Sequence, residues 1–303
     1  MNKKTLAYFS LITTSLIWSA GAVFIKYSLN YTTPYTFLFF RFAIVSIIFL
    51  PILINIIRKE KLTLTELINL FLIGTLSTTV TLVLLFWGTK LTSATEAVII
   101  NSLSPIFIIT GAAIFLKERV TRWQKIGISL AFLGSLAAII QPLVQNGISG
   151  GSITGNLLVL TAAMTWASFT LIIRKNEKAK KISPLSVTAT SFIAGFITIT
   201  PFYFLQNPQN RIPLESLVTH QAFPGIIYMS ILGSCIAYFT YNLGYSLIEA
   251  SNASIFTYLQ PVFSVPMAII FLGEKIDTFI IFGAILILTG IFLTEYKFNS
   301  HKD

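Results

Sequence analysis

The sequence predicts an all-α integral membrane protein, with ten transmembrane helices arranged as two inverted repeats of five. Three observations lead there. Of 303 residues, 54% are hydrophobic and only 11% are charged, well below the charged share of a soluble domain. Apolar stretches of roughly 20 residues, each able to cross ~30 Å of hydrocarbon, recur from Leu6 almost to Tyr296. The second half of the chain also repeats the first, with its basic loops displaced to the other side. Together these exclude a soluble enzyme, a secreted disulfide scaffold and a protein with a large water-soluble domain.

Taken in order, the first span, 6–28, follows Lys3 and Lys4. Ala20-Gly21-Ala22 resembles a signal-peptide cleavage site, but the apolar run outlasts the core of such a peptide. It is read as a retained helix. The second span, 34–57, ends at Arg58-Lys59-Glu60-Lys61. Spans 66–88 and 93–116 lead to Lys117-Glu118-Arg119, with Arg122 and Lys125 close behind, and 125–142 completes the first half. The second half holds 153–173, closed by Arg174-Lys175 and the run to Lys181, then 184–206, 223–245, 252–272 and 278–296. The basic clusters fall at alternate connections. Lys3, Lys4 and Lys297 share their side, whereas Lys90, Arg211 and Lys275 fall on the other. Positive loops stay in the cytoplasm, so both termini are expected there, in a multi-pass protein of the cytoplasmic membrane. The net charge of +10 is then a topology signal, and nucleic acid is not an expected partner. Cys235 is the lone cysteine, so no internal disulfide can form.

The repeat is read without gaps. Ala94, Ala97, Ile99, Leu103, Pro105 and Phe107 meet Ala250, Ala253, Ile255, Leu259, Pro261 and Phe263. Ile114-Phe115-Leu116 with Glu118 meets Ile270-Phe271-Leu272 with Glu274, and Gly127 and Gly134 meet Gly283 and Gly290. Earlier, Trp18, Lys26, Pro34 and Pro51 answer to Trp166, Arg174, Pro184 and Pro201. The repeats divide the chain into 1–145 and 146–303. An odd number of spans per repeat makes the second enter from the opposite face, the arrangement of many secondary transporters. Two similar halves in opposite orientation can exchange conformations at little cost.

Trp18-Ser-Ala-Gly-Ala-Val-Phe24 with Lys26, Trp166-Ala-Ser-Phe169, the helix ends Phe115-Leu-Lys-Glu118 and Phe271-Leu-Gly-Glu274, and the paired Gly spacings resemble the drug/metabolite transporter superfamily. The closest form is the ten-helix carrier with two EamA-type repeats, and the likeness runs from about Leu6 to Leu293. That resemblance implies an inner-membrane carrier, often an exporter of amino acids or other small metabolites.

Candidate site residues follow from polarity and helix interruption. Pro105 and Pro261 each remove a backbone donor and crowd the carbonyl four residues earlier, on Asn101 and Thr257. Asn101, Ser102 and Ser104 surround the first proline; Thr257, Tyr258 and Gln260 surround the second. Unpaired polar groups in hydrocarbon are costly, so these face either a central cavity or another helix. Trp18 and Trp166, repeat mates deep in their spans, can stack a substrate or pack helices. Tyr238 and Tyr241 lie on one face of the eighth span, where interfacial anchoring is the alternative for Tyr241 and Tyr245. Arg41, about 10 Å inside the second span, can meet a carboxylate or snorkel to the surface. Glu118 and Glu274 close the fourth and ninth spans on opposite sides, and each can hold a gate through a salt bridge to a nearby Lys or Arg. A surface pair contributes at most about 1 kcal/mol, so both read as solvated helix ends, and Glu96 as interfacial.

Catalytic chemistry would need convergent His, Asp, Glu or Cys, but His220 and His301 lie in a loop and the tail, and Cys235 has no nearby His. No catalytic residue, metal site or cofactor is expected. The expected partners are a small-molecule substrate and the lipid bilayer. The expected function is a secondary transporter of a small metabolite, such as an amino acid, by alternating access and outwards. A flippase for a lipid-linked molecule is the alternative, and a membrane enzyme the remotest.

Overall fold

The computed structural model describes residues 2–60, 62–118, 121–134 without 124 and 131, 151–180, 183–206, 217–274 and scattered positions from 278 to 293. Among the described residues the regular structure is helical, and eight helices are long and apolar enough to cross a membrane. In chain order α1 covers Lys3–Leu29, α2 Pro34–Glu60, α3 Leu64–Leu91 and α4 Ala94–Phe115. A shorter apolar helix, α5, covers Lys125–Gly134. Then come α6 at Gly151–Lys180, α7 at Pro184–Leu205, α8 at Phe223–Leu247 and α9 at Ala250–Leu272. The predicted fifth span is described only as far as Gly134, and most of the tenth, 278–296, lies outside the described residues.

Helix is what the bilayer demands, because a spanning segment must satisfy its own backbone. The ends show where water or side chains take over. Asn2 caps α1, and Ser183 caps α7 one residue before Pro184. Capping boxes open α3 (Thr63 with Glu66) and α4 (Ser93 with Glu96). Glu96 is therefore buried and bonded to the Thr92 hydroxyl rather than interfacial.

Among the described residues the interiors depart from regular helix at four places. A π-helical segment occupies Leu76–Val80 in α3 and another Met229–Ile236 in α8. The α4 helix breaks after Asn101 and resumes at Ser104, just ahead of Pro105. The α9 helix tightens into a 3₁₀ turn over Ile255–Tyr258, just ahead of Pro261. The carbonyl of Asn101 is recovered by the Ser104 hydroxyl at 2.7 Å. Those of Phe256 and Gln260 are met from α1, by the hydroxyls of Ser15 at 2.7 Å and Ser19 at 3.3 Å.

Packing brings α3 against α6 and α7, α2 against α7, and α1 against α8 and α9. Small residues permit the closest approaches. A methyl group on Gly88 would lie 2.8 Å from the Gly155 carbonyl oxygen, and one on Gly74 would lie 2.6 Å from the Ser191 Cα. Phe37, Phe42, Phe86 and Phe192 fill the core, while Phe9, Ile47 and Ile270 point outwards as an apolar exterior.

The pairing of α4 with α9 ties the two halves together. The start of α4 packs on the end of α9 and the end of α4 on the start of α9, so the two run antiparallel. Each chain leaves its helix through a left-handed residue, Lys117 (φ 55°) and Gly273 (φ 65°). That turn aims the next side chain at the other helix. The Glu118 carboxylate accepts from the Ser251 N–H at 3.2 Å and its hydroxyl at 3.0 Å. The Glu274 carboxylate accepts from the N–H groups of Ala94 at 2.7 Å and Thr95 at 3.0 Å. Solvated ends, the expectation for both, are thus corrected: a helix start offers unpaired donors and a positive dipole end, which a carboxylate satisfies. The bases complete the pattern at helix C-termini. Lys26 donates to the carbonyls of Thr89 at 2.9 Å and of Thr92 at the end of α3, and its repeat mate Arg174 donates to Ser246 at 3.1 Å at the end of α8.

Glu274→Ala is expected to lower stability by about 1–2 kcal/mol, the loss of a charged cap. Thermal unfolding in detergent reads it, with exposed Glu249→Ala as a control expected to change stability by less than about 0.5 kcal/mol.

Candidate functional site

A cavity of about 110 Å³ lies among α1, α2, α3, α4, α6, α8 and α9, beside both helix interruptions. Asn101 and Ser104 reach it from α4, and Thr257 and Gln260 from α9. Trp18 enters from α1, Arg41 from α2, Trp166 from α6 and Tyr238 from α8. Eight of the residues singled out in the sequence therefore meet at one place. Ser102 does not: its hydroxyl turns back to the Val98 carbonyl at 2.8 Å, and its buried side chain is off the wall. The Tyr258 side chain lies outside the described residues. No described residue bonds the side-chain amide of Asn101 or Gln260, so neither serves as a helix–helix hydrogen bond here.

An aromatic cluster closes one side of the cavity. The Trp18 and Trp166 rings meet edge to face at 5.6 Å. Tyr241, one helical turn beyond Tyr238, touches both at 5.3 and 5.0 Å and contacts Tyr245 at 4.4 Å. Hydrogen bonds lock the arrangement: Trp18 Nε1 donates to the Gly233 carbonyl at 3.0 Å, inside the π segment of α8. Trp166 Nε1 donates to Tyr241 Oη at 3.0 Å, and the Thr170 hydroxyl shares that oxygen at 2.8 Å. Tyr241 and Tyr245 are buried, which corrects the interfacial alternative for both. Their rings pack inside the helix bundle rather than in a membrane belt.

Arg41 is 2% exposed and does not snorkel, correcting that alternative. Its Nε donates to Ser234 Oγ at 2.8 Å, again within the π segment of α8, while Nη1 has no hydrogen-bond partner. The rings of Phe42, Phe86 and Phe192 lie 5.9 to 6.0 Å from its Cζ.

Sequence reasoning missed the contribution of α3, which lines the cavity with Thr81, Leu82, Leu85, Phe86 and Thr89. The hydroxyl-rich run Ser77-Thr78-Thr79 with Thr81 was the available signal. It does not say which hydroxyls are spent on helix contacts, as Thr78 is on the Ser191 carbonyl at 3.1 Å.

Tyr241→Phe leaves the Trp166 N–H without an acceptor and is expected to cost about 1–3 kcal/mol. Tyr245→Phe removes a hydroxyl that has no partner and should cost less than about 0.5 kcal/mol. Parallel thermal unfolding of the two variants distinguishes them.

The comparisons with known proteins agree with this architecture. The EamA-like transporter family matches residues 5–140 and again 153–296. An uncharacterised transporter of Archaeoglobus fulgidus is 26% identical over 297 residues, covering 98% of this chain and 99% of its own. The uncharacterised transporter YyaM of Bacillus subtilis is 29% identical over 294 residues, covering 94% of this chain and 92% of its own. A solved crystal structure shares the fold, with a TM-score of 0.71 at 16% identity and 97% coverage of both chains.

Proposed function

The chain belongs to the EamA-like transporter family, and from that premise we propose that it is a secondary transporter exporting a small metabolite across the cytoplasmic membrane by alternating access. The observation that carries the proposal is the cavity, whose polar wall comes from both repeats at their interrupted helices. Asn101 and Ser104 face it from 1–145, and Thr257 and Gln260 from 146–303. Interrupted helices at a repeat interface are where secondary transporters hold their substrates.

In this mechanism the two halves lie inverted in the membrane, with both termini in the cytoplasm. The distribution of basic loops supports that orientation. The end of α4 with the start of α9 forms the cytoplasmic closure, through Glu118 and the Tyr241 cluster. The end of α9 with the start of α4 forms the outer closure, through Glu274 and Lys26. Cargo reaches Asn101 and Gln260 when one closure opens and leaves when the other does. The interruptions before Pro105 and Pro261 let each helix bend there without breaking further backbone bonds. The outward direction rests on the family resemblance, and nothing in the wall calls for catalysis.

The double substitution Asn101→Ala with Gln260→Leu is expected to abolish transport while the protein still reaches the membrane in normal amount. Metabolite profiles of medium and cytosol, from cells overproducing wild type or the double variant, read the difference. Wild-type profiles from the double variant would sink the proposed site.

A further inference from the structure

Arg41 is a buried cation without a counter-charge. It starts one residue after two phenylalanines, about two turns into α2, and its side chain is almost wholly enclosed. A guanidinium stays protonated in proteins, and enclosing an ion costs several kcal/mol unless it is paired. The chain supplies one hydrogen bond, from Nε to Ser234, and three aromatic faces at cation–π distance. No carboxylate pairs with it among the described residues, and Nη1 remains unbonded.

The other charges of this zone are committed elsewhere. Lys26 and Lys90 hold backbone carbonyls, Lys90 that of Thr32 at 3.0 Å. Arg174 also leaves Nε unbonded, but it gives Nη1 to Ser246 and does not line the cavity. Glu118 and Glu274 are spent on helix starts. Arg41 alone of these lines the cavity, next to the unbonded hydroxyl of Tyr238. No Asp or Glu is among the residues described on that wall, so nothing there matches an ammonium by charge.

We infer that the cargo is a small organic carboxylate, and that its charged group pairs with Arg41 while its apolar part lies against Phe86 and Met229. This rests on the carrier reading above. The carboxylate supplies the acceptor that Nη1 lacks, and a guanidinium–carboxylate pair is both charge-assisted and directional. Size agrees: an apolar cavity of roughly 150 Å³ accommodates benzene, so about 110 Å³ suits a short-chain acid. A net anion fits this wall better than a zwitterion.

The test profiles medium and cytosol of cells overproducing the full chain, its Arg41→Lys variant or its Arg41→Gln variant, against cells with an empty vector, with membrane abundance measured for each. Compounds redistributed by the wild type should be carboxylates without an amino group. Arg41→Gln should reduce their redistribution at least tenfold at equal abundance, and Arg41→Lys should retain part of it. If Arg41→Gln fails to reach the membrane, the wild-type cargo decides, because amines, sugars or phosphate esters as cargo overturn the inference. So does undiminished redistribution by Arg41→Gln. In either case the carrier reading stands. If the wild type redistributes nothing, the carrier reading falls and takes this inference with it.

Discussion

At the start of a helix from the other half of the chain, Glu118 receives the N–H and hydroxyl of Ser251, and Glu274 the N–H groups of Ala94 and Thr95. In water such a cap is a modest convenience, since solvent would satisfy the same donors. At the margin of a bilayer it is closer to a requirement, because donors left to hydrocarbon have no other partner. The two caps therefore fix the register of α4 against α9, and both Asn101 and Gln260 line the cavity beside that pairing. Lys26 and Arg174 act in the same way at C-termini, gathering carbonyls that α3 and α8 leave open. Acids bind helix starts and bases bind helix ends, as the helix dipole favours.

The same constraint shapes the cavity. Pro105 frees the Asn101 carbonyl, which the Ser104 hydroxyl takes up, and α1 adds the hydroxyls of Ser15 and Ser19, one turn apart, to the carbonyls of Phe256 and Gln260 in α9. On the cavity wall the Tyr238 hydroxyl and Arg41 Nη1 are unbonded, with the amides of Asn101 and Gln260 beside them, while other buried groups such as Trp87 Nε1, Asn156 Nδ2 and Arg174 Nε are unbonded away from it. The groups on the wall lie where a ligand can complete them. The π segments contribute by turning Ser234 towards Arg41 and the Gly233 carbonyl towards Trp18.

Much of this was legible in the sequence, and the reasons are physical. A bilayer of fixed thickness forces long apolar runs, so eight spans fall where hydropathy puts them. Pro51, Pro201 and Pro266 lie inside continuous helices, but Pro105 and Pro261 sit beside irregular segments, and of the polar residues near them Asn101, Ser104, Thr257 and Gln260 gather at the cavity. The roles of Glu118 and Glu274 were not legible, because their partners lie more than a hundred residues away and two glutamates at helix ends look solvated. Ser102 and Ser104 are two residues apart, yet only the second faces the cavity; the phase of a broken helix is set by packing. Likewise the depth of Arg41 was readable, but not its enclosure by Phe42, Phe86 and Phe192, two of which come from other helices.

The proposed carrier depends above all on the two ends of the α4–α9 pair facing opposite sides of the membrane. Arg122 and Thr278 are repeat mates just beyond those ends, and both are exposed. Single cysteines at these positions, in a Cys235→Ala background, can be labelled in intact cells with a membrane-impermeant maleimide. Inverted halves with cytoplasmic termini predict labelling of Thr278→Cys from outside, and labelling of Arg122→Cys only after the membrane is permeabilised. Labelling of both from the same side would contradict the inversion, and with it alternating access between two opposed closures.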